Sequence, residues 1–178
     1  MLLEATTGYP VVVSETTPKL AKVLTISDGV MAGTRSDRSG AALIELLGSN
    51  GFEIAEHAVT PDGIEAVAAA LVRLSDGFCG LIVTTGGTGF TARDLTPEAT
   101  KSVLEREAPG FAEYMRSVNP LGMLSRGVAG IRGKSLILNT PGSPGGAREM
   151  LAAVIAHVPH AIALLGDPTS VHPSAKES

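Results

Sequence analysis

The run GLIVTT at residues 80–85 has no polar face, and GGTG comes directly after it at 86–89. A strand apolar on both sides has to be covered on both sides, which is the condition of a parallel sheet with helices laid over each face. The flanking pattern agrees. KVLTIS (22–27) is a short apolar strand, and residues 38–48 place Leu43, Leu46 and Leu47 at helical spacing before Gly48 ends the run. FEIAEHAV (52–59) reads as a strand with Phe52, Ile54 and Ala58 inward, and residues 62–75 put Ile64, Val67, Ala68 and Leu71 on one helical face. Pro97 suits the first turn of a helix capped by Thr96, and Pro109 opens another over 109–117. SRGVAGIRG (125–133) is compatible with a short strand or hairpin, and SLILN (135–139) is a further central strand. The last helix runs from about 146 to 165 through Met150, Leu151, Val154, Val158 and Ile162, with a kink expected at Pro159. The expected fold is α/β: a three-layer α/β/α sandwich with a mostly parallel central sheet over residues 19–166, with tails at 1–18 and 167–178.

Composition narrows the function. The 178 residues suit one domain, and a 44% hydrophobic fraction with two Tyr, four Phe and no Trp makes the core aliphatic. So few aromatics leave little to stack on bases, and a net charge of −4 gives no general attraction to phosphate backbones, so no nucleic-acid partner is expected. Cationic help for an anionic ligand has to be local, from residues such as Arg93, Arg126 or Arg132. No apolar run reaches the roughly 18 residues of a membrane span and no secretory signal pattern opens the chain, so the expectation is a cytoplasmic protein without a membrane partner. The single Cys79 lies in FCGLIV and reads as a small core residue. His157 and His160 lack a third metal partner and read as solvated or interfacial, while His57 and His172 carry no signal.

In doubly wound sheets the ligand sits beyond the carboxyl ends of the strands. Every strand here gives way to polar or glycine-rich residues: Ser27-Asp28, Thr60-Pro61-Asp62, Thr85-Gly86-Gly87-Thr88-Gly89, and Asn139-Thr140-Pro141-Gly142-Ser143. The glycine loop can bring amide N–H groups to a phosphate because no Cβ keeps the anion away. It is no Walker loop, since no Lys-Ser/Thr pair comes after it. Gly87-x-Gly89-x-x-Ala92 fits a loose dinucleotide pattern, but Arg93 to Pro97 intervene where a helix should begin.

Two acids stand at strand ends. Asp94, beside Arg93, suits Mg²⁺ held near bound phosphates, and it equally suits a turn cap or a salt bridge to Arg93. Asp62-Gly-Ile-Glu65 has the form of a capping box, and a capping carboxylate in that place can still face a ligand. Ser27 and Asp28 suit contact with a polar heterocycle. Asp37-Arg38-Ser39-Gly40 reads as a helix start suited to capping or to an anion, and Ser125-Arg126 sets a hydroxyl beside a guanidinium as phosphate recognition needs.

The segments SDGVMAGTRSDRSG, TPDG, TTGGTGFTARDLTPEAT, EREAPGF, MLSRGVAGIRG and LILNTPGSP, in this order from about Lys22 to Gly166, resemble the molybdopterin adenylyltransferase family, which includes the gephyrin G domain and plant and bacterial relatives. That resemblance implies a homotrimer of α/β/α domains that transfers AMP from Mg-ATP to the terminal phosphate of molybdopterin and releases pyrophosphate. On matching positions it implies Asp62 and Asp94 as the catalytic, metal-holding acids. Gly86, Gly87, Thr88, Gly89, Asn139, Pro141 and Gly142 would bind the nucleotide, and Ser27, Asp28, Ser39, Gly40, Ser125 and Arg126 the pterin. The last loop departs from the family, reading Pro-Gly-Ser-Pro-Gly-Gly where relatives often have Pro-Gly-Asn-Pro or Pro-Gly-Ser-Thr-Lys. A non-catalytic pterin-binding or scaffold trimer of the same fold is the alternative expectation.

Overall fold

The computed structural model describes residues 19–167; the expected tails lie outside the described residues, apart from Asp167. The chain runs β1 (Leu20–Ile26), α1 (Asp28–Met31), α2 (Arg38–Ser49), β2 (Glu53–Thr60), α3 (Ile64–Ser75), β3 (Cys79–Thr85), α4 (Thr96–Val103), β4 (Arg106–Glu107), α5 (Pro109–Ser117), a 3₁₀ turn (Pro120–Leu124), β5 (Ala129–Arg132), β6 (Lys134–Thr140), α6 (Pro144–Val154) and α7 (Val158–Gly166). The sheet order is β2-β1-β3-β6-β5-β4. The first four strands in that order are parallel neighbours, while β5 pairs antiparallel with β6 and β4 antiparallel with β5.

Alternation along the strands separates two cores, because successive side chains leave a strand on opposite faces. Val23, Leu81, Val83, Leu136 and Leu138 meet α2, α5, α6 and α7 through Leu43, Leu47, Met115, Leu151 and Val158. On the other face Leu24, Ile26, Ile82 and Ile137 meet α3 and α4 through Val67, Leu71, Leu74 and Ala99. Each such side chain taken fully out of water contributes about 1.5–3 kcal/mol, so both layers are held by aliphatic burial. This is the expected three-layer α/β/α sandwich. Cys79 is half-buried and packs against the larger core.

Local departures from expectation have local causes. The expected long last helix is two helices, α6 and α7, bent by 64°. The break begins at Ile155, four residues before Pro159: a proline ring crowds the carbonyl four back and gives it no N–H. Pro159 then sits in the first turn of α7, where its missing donor costs nothing. Gly48 does not end α2, which continues to Ser49 before Gly51 turns the chain at φ +78°. The SRGVAGIRG segment supplies β5, the partner of β6 across a turn at Gly133. Among the described residues no single helix is long and apolar enough to cross a membrane.

Candidate active site

Register brings the loops to one level. Thr25 pairs with Thr85, Thr85 with Thr140 and Ile26 with Thr60, so the chain leaves β1, β2, β3 and β6 along a common carboxyl rim. The exits are tied together: Ser27 N donates to Thr60 O (3.0 Å), Gly86 N to Thr140 O (3.2 Å), and Thr85 Oγ1 to Pro141 O (2.8 Å). After β1 the chain winds to β2 and then crosses back to β3, so β1 and β3 flank a topological switch point, where a crevice opens. Gly86 lies in it at φ +105°, and a Cβ there would collide with the Ile26 carbonyl. Gly87 is next at φ +63°, where a Cβ would run into Thr96 Oγ1. Thr96 itself does not cap α4. It is the first residue of that helix, its hydroxyl donates to Gly86 O (2.9 Å) and its amide to Gly87 O (3.0 Å), tying the helix start to the glycine loop.

Among the described residues three cavities open along the rim. The largest, about 710 Å³, is lined by Ser27, Arg35, Arg38, Asp62, Gly86 and Asp94 among others. A second, about 470 Å³, lies beyond the glycine loop between Thr88, Leu121, Leu124, Ser125, Pro141 and Met150, and it too reaches Asp94. A third, about 400 Å³, is walled by Asp28, Arg35, Asp62, Arg93 and Asp94. Asp94 belongs to all three, and Gly87 and Gly142 form the sill between the first two.

The two acids are held by different means. Asp62 is not part of a capping box: α3 starts after Gly63, at φ +124°, with no side-chain cap. Asp62 is drawn away from its own helix by Asp28. Asp28 N donates to Asp62 Oδ2 (3.0 Å) and Asp62 N to Asp28 Oδ1 (3.1 Å), a reciprocal pair joining the first two loops. Asp94 closes a turn of its own, with Oδ2 accepting from Thr91 N (2.8 Å) and its amide donating to Thr91 O (3.1 Å). Arg93 does not pair with Asp94; its guanidinium reaches Asp28.

The remaining predicted residues divide. Ser27 and Ser39 line the largest cavity, Asp28 the third and Ser125 the second, so the residues assigned to the pterin do not share one pocket. Gly40 is buried and lines none of them; a Cβ there would press into Asp37 and Thr25, whose hydroxyl donates to Asp37 Oδ2 (2.6 Å). Asn139 is turned inward and 3% exposed, its Nδ2 donating to Thr84 and Thr100 (both 3.0 Å) and its Oδ1 accepting from Val128 N (3.1 Å). It braces β6 against α4 and lines none of the three rim cavities. Arg126 likewise faces the glycine loop rather than open space: Nε donates to Gly89 O (2.7 Å), and its other nitrogens reach Asp94 O and the Glu98 carboxylate. The hydrogen bond from Arg126 holds the Glu98 carboxyl below the usual carboxylate range, and that partner in turn raises the guanidinium further.

Sequence reasoning missed Arg35, in a loop without periodicity, and it missed that Arg38 faces the largest cavity. Among the described residues neither guanidinium has a hydrogen-bond or ion-pair partner. The visible signal was the basic pair in TRSDR, which the capping pattern of Asp37 overshadowed. His57, silent in sequence, stands 2.9 Å from Asp37 Oδ2, while Asp37 Oδ1 accepts from Gly40 N (2.8 Å) and caps α2.

A family model described as a probable molybdopterin binding domain matches residues 22–160. The chain belongs to that family. Relatives of this chain include a protein named molybdopterin adenylyltransferase from Helicobacter pylori, 42% identical over 151 residues, covering 80% of this chain and 85% of the relative. A second of the same name, from Escherichia coli, is 39% identical over 166 residues, with 82% and 85% covered. Among solved structures, the molybdopterin biosynthesis enzyme MoaB from Thermus thermophilus superposes with a TM-score of 0.78 at 45% identity, covering 85% of this chain and 99% of that one. The candidate site is the carboxyl rim, where the glycine loop, the acids and two arginines without a partner among the described residues meet.

Proposed function

We propose that this chain is a molybdopterin adenylyltransferase of molybdenum cofactor biosynthesis, transferring AMP from ATP to the terminal phosphate of molybdopterin. The observation that carries the reading is the convergence of three cavities on Asp94 across a glycine sill, which suits two phosphate-bearing substrates meeting at one phosphorus. The names of the relatives from Helicobacter pylori and Escherichia coli support it. In the step, an oxygen of the molybdopterin phosphate attacks the α-phosphorus of ATP, a P–O bond forms, the bond from the α-phosphorus to the bridging oxygen breaks, and pyrophosphate leaves with that electron pair. The nucleophile is already anionic, so no side chain has to remove a proton. Such transfers depend on alignment and charge compensation.

The residues here fit those two tasks. Gly86 and Gly87 bare the backbone between the cavities, and Arg35 and Arg38 offer unpaired positive charge to phosphate oxygens. The donor set also fits Mg²⁺, which is typically held by one or two carboxylates together with substrate phosphates rather than by an all-protein cage. Asp62 and Asp94 each engage one carboxylate oxygen within the protein and keep the other, and among the described residues no three His, Cys, Asp or Glu side chains form a cage. When bound, the ion would offset charge on the reacting phosphates. The same reading makes the protein a cytoplasmic homotrimer, and sedimentation that returned a monomer would overturn that assembly.

The test is pyrophosphate release from Mg-ATP, measured with and without molybdopterin. Release that requires both substrates is expected. A protein that retains molybdopterin and yet releases no pyrophosphate is a binding or scaffold protein instead.

A further inference from the structure

The acid shared by all three cavities is carried on an exposed stretch of the rim. Phe90 is 69% exposed and residues Thr91, Ala92 and Arg93 are exposed beside it. A turn of this kind, closed mainly by its own Asp94–Thr91 bonds, has few buried contacts to fix it relative to the sheet. Phosphoryl chemistry nevertheless depends on Asp94 keeping its place in the two cavities that it lines together with Asp62.

Arg93, within the turn, pairs with Asp28 through an exposed side chain, and the backbone of the turn is anchored by Arg126. Its amide donates to Thr88 O (2.8 Å), and its guanidinium takes both ends of the turn, Gly89 O through Nε (2.7 Å) and Asp94 O through Nη2. Glu98, in the first turn of α4, grips the outer edge of the same guanidinium, with Oε2 at 3.4 Å from Nη2 and Oε1 on Nη1. One planar fork therefore joins the segment before β5, the glycine loop and α4, a task that needs several donors in fixed directions and that a lysine ammonium cannot copy. Arg126 lines none of the three cavities, although its neighbour Ser125 lines the second.

We infer that Arg126 is a positioning residue that clamps the Gly89–Asp94 turn and so sets Asp94 in the site, with Glu98 holding the clamp shut. It does not touch the pterin or the nucleotide. The inference rests on the adenylyl-transfer reading for its kinetic consequence and on geometry alone for the clamp.

Arg126→Ala, Arg126→Lys and Glu98→Gln separate these roles through three measurements: pyrophosphate release, equilibrium binding of ATP, and amide hydrogen exchange over residues 89–95. For Arg126→Ala the expected result is a kcat lower by about 10²-fold with ATP affinity changed by less than about threefold, the signature of a misplaced group rather than a lost contact. Exchange over 89–95 should quicken by at least about tenfold while the core strands keep their protection. Arg126→Lys should recover little, and Glu98→Gln should fall between it and the wild type. A rise in KM for ATP or molybdopterin with kcat preserved makes Arg126 a ligand contact and overturns the inference, as does unchanged exchange. If Arg126→Ala fails to fold, the other two variants decide by the same criteria. If the wild type releases no pyrophosphate, the adenylyl-transfer reading fails, while exchange in the variants still upholds or overturns the clamp.

Discussion

Asp62 and Asp94 are the same residue type on the same rim, and the protein holds them in contrasting ways. Asp62 sits on a three-residue connection between β2 and α3 and is locked by a reciprocal pair of hydrogen bonds to Asp28, whose amide and carboxylate both take part. Asp94 sits late in the ten-residue connection from β3 to α4 and is held by its own turn and by an arginine from a distant segment. Each acid has a partner far along the chain, but on the short loop one reciprocal pair of backbone-to-carboxylate bonds is enough, whereas the long loop adds a turn of its own and a guanidinium across its ends. The long loop is also the one that reaches all three cavities, so the longer reach comes with the larger set of anchoring bonds.

The largest expected effect is at the shared acid. Asp94→Asn keeps the acceptor for Thr91 N and should fold normally, with pyrophosphate release falling on the order of 10³-fold as transition-state charge compensation is lost. A normal rate would remove Asp94 from the chemistry. Asp62→Asn should cost less, about 10²-fold, because Asp62 lines two of the cavities and one of its oxygens is already engaged by Asp28. Equal losses at the two positions would mean that the acids act as one unit and that their different anchoring has no consequence for turnover. Next comes Gly87→Ala, which forces a Cβ onto Thr96 Oγ1 at a positive φ; it should lower stability by about 2 kcal/mol, seen as a Tm lower by about 4–8 °C. Asp28→Ala probes the contrast from the other side. It removes the acceptor of Asp62 N and the partner of Arg93 but leaves the Arg126 clamp untouched, so turnover should fall only about tenfold.

The smallest effect is a dependence on pH. The Arg126 hydrogen bond lowers the folded-state pKa of Glu98, so the pair's contribution is fully present above the ordinary glutamate value and is lost as pH falls through the depressed one. Acid unfolding of Glu98→Gln compared with wild type should show that part of the profile flattened, and the difference should shrink in salt because both side chains are partly exposed.

Much of this was legible from residue order. The two-faced apolar runs at 81–83 and 136–138 announced buried parallel strands, and the polar or glycine-rich residues after each strand announced the rim, because burial and backbone freedom are local demands that local composition has to meet. The family resemblance named Asp94 and the glycine loop on the strength of GGTGFTARDLTPEAT, and Asp62 through TPDG. Other roles were not legible. Asn139 stands at the end of a central strand as a ligand residue would, yet its amide is taken by Thr84, Thr100 and Val128. Asp62 had the spacing of a capping box, but a partner 34 positions earlier in the chain claimed it. Arg35 gave no periodic signal and still faces the largest cavity without a partner among the described residues.

Sequence by itself determined the strands, the covering helices and the stock of glycine, acid and arginine that the rim contains, since these depend on patterns within a few residues. Only the tertiary structure decided which acid meets which partner, that Arg126 turns toward the loop and Asn139 toward the core, and that the cavities share Asp94. Those outcomes are set by register and by hydrogen-bond competition between segments far apart in the chain, and a local pattern holds no record of either.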